Sequence, residues 1–206
     1  MKTIIIAILL LTILATPTIV FAGKPQTTAL TPNSVCLDPG HGGSDIGSSN
    51  QDLVEKDVNL QVALNLRDKL TAGGYTVFLT READATLSNA DRYNYCNAQN
   101  VALLVSIHHN GSTDSNTDYT LVLYGKRGSK DVATLFANII SSALGLPNHR
   151  TTNFASGVLL KSNAPAVITE SFFLTNTNEY GLIKNSNRID QEASALLTAI
   201  NSYFGN

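Results

Sequence analysis

The sequence predicts a three-layer α/β domain, a mostly parallel sheet covered by helices on both faces. Two observations predict it. Residues 34–37, 101–107 and 166–169 are short and almost continuously apolar, as strands buried on both sides are, whereas strands with one wet face alternate. Between them lie segments with apolar residues at helical spacing, and strands alternating with helices form parallel units joined by crossovers. Such crossovers bring the carboxyl ends of the strands to one edge, where open α/β sheets bind ligands.

Residues 1–22 stand apart from this pattern. Lys2, the apolar run at 4–14 and the ending Val20-Phe21-Ala22 read as a secretory signal peptide cleaved after Ala22. The competing reading is an uncleaved anchor, since residues 4–22 approach the ~20 apolar residues that span a bilayer. Thr12, Thr16, Pro17 and Thr18 interrupt that run. Residues 23–33, with Pro25 and Pro32, read as a flexible leader, and residues 34–206 as a single domain. No later stretch is apolar enough to span a membrane, so an exported protein is expected, secreted or kept in the periplasm or cell envelope.

Within the domain, strand 34–37 runs into Leu37-Asp38-Pro39-Gly40-His41-Gly42-Gly43, a tight turn that presents His41 at the strand's end. A Gly/Ser/Asn-rich loop occupies residues 44–52. Glu55 opens a helix in which Val58, Val62, Leu66 and Leu70 keep helical spacing until Gly73-Gly74 stops it. Residues 75–80 are β-branched and aromatic, a strand. Ser88 or Asn89 caps the next helix, which carries Tyr93, Cys96 and Ala98, and strand 101–107 ends in His108-His109-Asn110. After a polar loop at 111–118 come a strand at 119–124 and a helix at 129–144, with Val132, Phe136, Ile139 and Ile140 in one stripe. A short strand at 157–160, a last core strand at 166–169 ended by Glu170, and an amphipathic helix at 189–204 complete the chain.

A formal net charge of −2 without any basic tract excludes nucleic-acid binding through phosphate neutralisation. The two cysteines, Cys36 and Cys96, offer no metal knuckle. In an exported chain they fit one disulfide and two buried thiols equally.

Four groups from separate parts of the chain reach the carboxyl edge or the helix start beside it: His41, Glu55, His108 and Glu170. Two imidazoles and one carboxylate are a common ligand set for catalytic zinc, which keeps a fourth position for water or substrate. His41, Glu55 and His108 fit that set, with Glu170 outside it as the carboxylate that moves protons. Each has a plainer reading. His41 alone is a loop histidine, and Glu55 alone an acidic residue at a helix N-terminus. Of His108 and His109, adjacent on a strand, one faces each side. Glu170 is costly in a buried strand unless paired or beside a metal. His149, next to Pro147, reads as an exposed loop residue, and Asp38 as a turn former. No lysine and hydroxyl pair follows the glycines, so a phosphate cradle is disfavoured.

Leu37 to Gly43, Glu55 followed by Asn59, Thr80-Arg81 with Asp84, Arg92, Ser106-Ile107-His108 with Asn110, and Pro165-Ala166-Val167 leading to Glu170, Phe173 and Asn176 together resemble the zinc-dependent N-acetylmuramoyl-L-alanine amidases of the bacterial cell wall. The resemblance runs in order from about Val35 to the closing helix. It implies a sheet of about six strands, one zinc ion held by His41, Glu55 and His108, and Glu170 as the catalytic base and acid. It implies the reaction as well: hydrolysis of the amide between N-acetylmuramoyl and L-alanine in peptidoglycan, with zinc-bound water as nucleophile. His109 stands where the family frequently has a small residue, and Ser171 where it frequently has glycine. The chain carries no inhibitory insertion and no wall-attachment repeat, so a freely diffusing domain with no regulatory partner is expected. Two other functions remain: a zinc peptidase or carboxypeptidase acting on cell-wall peptides, and an inactive wall-binding protein that keeps the fold. A glycosidase with two carboxylates leaves the strand-end histidines unexplained.

Overall fold

In the computed structural model, which describes residues 30–206, the chain enters the sheet at once. The first strand, β1 (Thr31–Pro39), starts ahead of the apolar run. Thr31, though exposed, pairs with Val101 and donates its N–H to the Asn100 carbonyl, and Ser34 Oγ reaches back to the Thr31 carbonyl. The end of the expected leader is therefore strand; the expected signal peptide and the rest of the leader lie outside the described residues. The loop at 44–52 folds partly into a small hairpin, β2 (Ser49–Asn50) with β3 (Leu53–Val54), which delivers the chain to α1 (Glu55–Ala72). β4 (Thr76–Leu79), α2 (Asn89–Ala98) and β5 (Val101–Asn110) follow in the predicted order. Ser88 caps α2 in a reciprocal pair with Asp91. Next come β6 (Thr120–Tyr124) and α3 (Lys130–Leu144).

Three elements depart from expectation. β7 (Asn148–Asn153) reads Asn-His-Arg-Thr-Thr-Asn, too polar to announce a strand; it is a mostly exposed sheet edge, where polar residues discourage further pairing. Residues 157–160 are not a strand but the start of a short helix, α4 (Gly157–Lys161). The adjacent Val158 and Leu159 are both buried there, which an alternating strand would not do, and an apolar run this short does not reveal its period. Between β8 (Ala166–Phe173) and the closing helix α6 (Arg188–Phe204) lies an additional helix, α5 (Thr177–Asn185). Asn176 fixes its start, accepting from the N–H groups of Asn178 and Glu179.

The sheet has six strands in the order β4-β1-β5-β8-β6-β7. β4, β1, β5 and β8 are parallel, whereas β6 runs antiparallel to β8, and β7 follows β6. The shared carboxyl edge is thus built by the parallel four and not by every strand. α1, α3 and α6 pack over one face on Val35, Leu37, Leu103, Val105 and Val167. The shorter α2 and α4 cover only part of the other face, over Leu104, Ala166 and Ile168. Each such valine, leucine or isoleucine side chain, fully buried, contributes about 1.5–3 kcal/mol. Cys36 of β1 and Cys96 of α2 form a disulfide, which decides the question the sequence left open. No helix among the described residues is long and apolar enough to cross a membrane.

Candidate metal centre

Strand register lays two rows of side chains across the sheet face that α2 and α4 only partly cover. Asp38, Ser106, Ile168 and Leu123 form one row; His108, Glu170 and Leu121 form the next. His41, just past β1, and Glu55, the first residue of α1, come in from the edge.

The turn that carries His41 is held from behind. Arg92 donates from Nη1 to Asp38 Oδ1 (2.7 Å) and the Pro39 carbonyl (2.8 Å), and from Nη2 to the His41 carbonyl (2.8 Å). Arg81 donates to the carbonyls of Pro39 and Gly40. Asp84 accepts from the Gly43 N–H at 2.7 Å and from Lys56 at 2.6 Å. This bracing holds a strained backbone: His41 itself sits at φ 58°, a left-handed conformation that costs a residue with a Cβ about 1–2 kcal/mol. Gly40 is glycine for a different reason, since a Cβ there would run into the His108 ring. Asp38 is neither a turn former nor a ligand. It is the buried counter-ion of Arg92; burial would raise its pKa, but Arg92 and the hydroxyls of Thr80 and Ser106 bring it below the usual carboxylate value.

Around this turn His41, Glu55 and His108 converge, one ligand atom from each lying within 4.8 Å of the others. Glu55 Oε1 is 3.2 Å from both His41 Nε2 and His108 Nδ1. Ligand atoms bonded to zinc at ~2.0–2.2 Å in a tetrahedron stand roughly 3.3–3.6 Å apart, so both Glu55 spacings are close to those around such an ion, and the histidine pair, within 4.8 Å, would draw together on binding it. Glu55 is itself anchored, Oε2 by the Ser48 N–H (2.8 Å) and Oε1 by the His109 N–H (3.1 Å). Burial opposes its ionisation, but hydrogen bonds from His108, His41 and Ser48 hold the carboxyl well below the usual range. Burial likewise pulls the His41 imidazole down, and the carboxylates of Glu55 and Asp45 outweigh it, lifting the pKa to about 9. Asp45 Oδ1 lies 2.9 Å from His41 Nδ1, without the alignment of a hydrogen bond.

Glu170 is the cross-strand neighbour of His108. Its Oε2 is buried without a hydrogen-bond partner among the described residues, and burial pushes its pKa up, past the opposing pull of His108. A cavity of about 530 Å³ opens in front, with His41, His108 and Glu170 at one end and Leu121, Leu123 and Phe154 at the other.

The four groups expected at the edge thus meet there. His149 does not join them; it lies on β7 rather than in a loop, exposed and stacked on Tyr119 at 4.3 Å. His109 points through the opposite face into the core, with Nε2 2.8 Å from the fully buried Glu192. Asp45 and Glu192 escaped the sequence reading. Asp45 gave no signal beyond its nearness to His41, but Glu192 did: it interrupts the apolar stripe of Ile189, Ala193 and Leu196 with a charge.

Fold and site together define a class, a three-layer α/β enzyme domain with a candidate metal group at the carboxyl edge of its parallel strands. Within that class the chain belongs to the N-acetylmuramoyl-L-alanine amidase family, whose sequence profile matches residues 35–202. It is 30% identical over 175 residues to the N-acetylmuramoyl-L-alanine amidase LytC of Bacillus subtilis (strain 168), which aligns with 83% of this chain. The chain spans only 35% of the length of LytC. Among solved structures, an N-acetylmuramoyl-L-alanine amidase from Clostridium difficile 630 superposes with a TM-score of 0.79 at 32% identity, covering 85% of this chain and 98% of that one. The CwlD amidase from Clostridioides difficile, solved in complex with the GerS lipoprotein, superposes with a TM-score of 0.78 at 27% identity, over 84% of this chain and 98% of that one.

Proposed function

We propose that this chain is an exported, zinc-dependent N-acetylmuramoyl-L-alanine amidase that cuts stem peptides from the glycan strands of peptidoglycan. The observation that carries the reading is the meeting of His41, Glu55 and His108 beside the unpartnered carboxyl oxygen of Glu170. Bound by those three residues, a zinc ion would supply a Lewis acid for the lactyl carbonyl and lower the pKa of water there. The chain's own residues do the rest. Arg92, Arg81 and Asp84 keep the His41 turn in place, so the ligand set is organised before substrate arrives. Glu170, with a pKa raised by burial, accepts a proton from the attacking water and returns it to the L-alanine nitrogen as the amide breaks. The cavity is within the roughly 300–1,000 Å³ usual for small-ligand sites. Export through the signal at residues 1–22 would deliver the domain to its substrate.

The test is digestion of purified peptidoglycan with mass analysis of the fragments. The wild-type chain should release whole stem peptides with a free L-alanine amine, stop on chelation and recover with zinc. Glu170→Ala should lose about 10²–10⁴-fold in rate while still binding zinc. A Glu170→Ala enzyme at the wild-type rate would sink the mechanism, and shortened stem peptides would make the protein a peptidase. The same assay, run with no added protein, tests the expectation that the domain acts without a regulatory partner.

A further inference from the structure

His109 and Glu192 are ionisable groups sealed in the core that the proposed hydrolysis does not use. β5 turns its two consecutive histidines to opposite faces, so His108 enters the candidate metal group and His109 faces α1 and α6. The His109 ring packs on Phe172 at a centroid distance of 4.2 Å. Its Nε2 lies 2.8 Å from Glu192 Oε2 and its Nδ1 2.6 Å from Asn59 Oδ1. Asn59 continues the chain. Its Nδ2 faces two acceptors, the Gly40 carbonyl at 3.1 Å and Glu55 Oε1 at 3.4 Å. Those acceptors fix which way the amide points, so Nδ1 of His109 carries the proton between it and Oδ1. Nε2, on the other side of the ring, faces the Glu192 carboxyl group.

We propose that Glu192, His109 and Asn59 form a positioning chain that orients the Glu55 carboxylate and the His41 turn for metal binding from behind the sheet. The hold on Glu55 is double: the backbone N–H of His109 bonds Oε1 directly, and the His109 ring fixes the Asn59 amide that touches the same oxygen. The hold on the turn is through Gly40, the residue before His41, whose carbonyl takes Asn59 as well as Arg81. Outer-shell partners of this kind orient metal ligands, and their removal typically costs 10–100-fold in metal affinity. The other oxygen of Glu192 has no hydrogen-bond partner among the described residues, so the carboxylate's placement serves its contact with His109. Buried pairs of this sort add little to stability when an apolar pair of similar volume can replace them, which leaves positioning as the role that their removal should expose.

The inference rests on the metal reading of the site, and its test separates the two. Zinc affinity of the full chain is measured by competition with a chromophoric chelator, beside urea unfolding of the same ion-free samples. The double variant His109→Phe with Glu192→Leu removes both polar groups and fills the space. It should unfold somewhat earlier than wild type, because the buried Asn59 Oδ1 loses its donor, yet stay folded in water and bind zinc 10- to 100-fold more weakly. If that variant does not fold, the isosteric Glu192→Gln weakens the same hold and is read the same way, with a smaller fall in affinity. Wild-type affinity in a folded variant overturns the positioning chain and leaves the amidase reading intact. A wild-type chain that binds no zinc overturns the metal reading and the positioning chain with it.

Discussion

His41 and Glu55 tie the ion-free site to pH in opposite directions. The folded state raises the His41 pKa from its ordinary 6.5 to about 9, so the stability it contributes is fully present below 6.5 and lost as pH rises through 9. Glu55 is depressed from its ordinary 4.5, and Asp38 from 3.8; their contributions are present above those values and lost as pH falls through the lower folded ones. Urea midpoints of the chelated protein should therefore peak between about pH 5 and 6.5 and decline toward pH 9. His41→Asn should flatten the alkaline decline. Zinc must displace the His41 proton, so metal affinity should climb over the same alkaline window. A chelated protein that gains stability from pH 6.5 to 9 would contradict the pairing of His41 with Glu55.

α2 is a short helix that serves the site through two residues. Arg92, near its start, grips Asp38 and the His41 turn, and Cys96, near its end, is bonded to Cys36, two residues before Asp38 on β1. The bridge closes a loop with a sequence separation of 60, for which chain entropy gives about 4 kcal/mol of stabilisation. Cys36→Ala with Cys96→Ala should lower the unfolding free energy by about 2–4 kcal/mol in urea titrations. An unchanged midpoint would mean that Arg92 and apolar packing hold α2 without the disulfide. β7 and α4 show why such elements are hard to read one at a time. Their local sequences name neither element; one is a strand because β6 offers it an edge, the other a helix because Val158 and Leu159 share one buried pocket beside Leu104 and Ile168.

Across the whole molecule, the reversed β6 and β7 and the short α2 and α4 leave a band of sheet uncovered beyond Glu170. The order across the edge is then metal group, Glu170, Leu121 with Leu123, and Phe154. If Glu170 hands its proton to the departing amine, the L-alanine nitrogen faces β8 and the stem peptide runs over β6 toward Phe154. Phe154 is 49% exposed, so its removal should leave the fold intact. Phe154→Ala should raise KM for stem-bearing substrates up to about 10-fold, the scale of losing part of an aromatic contact worth about 1.5–3 kcal/mol. An unchanged KM would place the peptide on the other side of the metal group.

The sequence by itself determined the parallel core, its covering helices α1, α2, α3 and α6, and the four groups that meet at the edge. Continuous apolar strands and helical stripes are local consequences of burial, and His41, Glu55, His108 and Glu170 sit where those patterns end. It also carried, unread, the charge of Glu192 on an apolar stripe. Only the tertiary structure decided that Asp38 is a counter-ion and not a turn former, that Cys36 and Cys96 are joined, that His109 meets Glu192 and Asn59 on the far face, and that β6 reverses beside a cavity. Each of those depends on which distant residue arrives opposite, and pairing across the fold is set by register and packing, which no local spacing records.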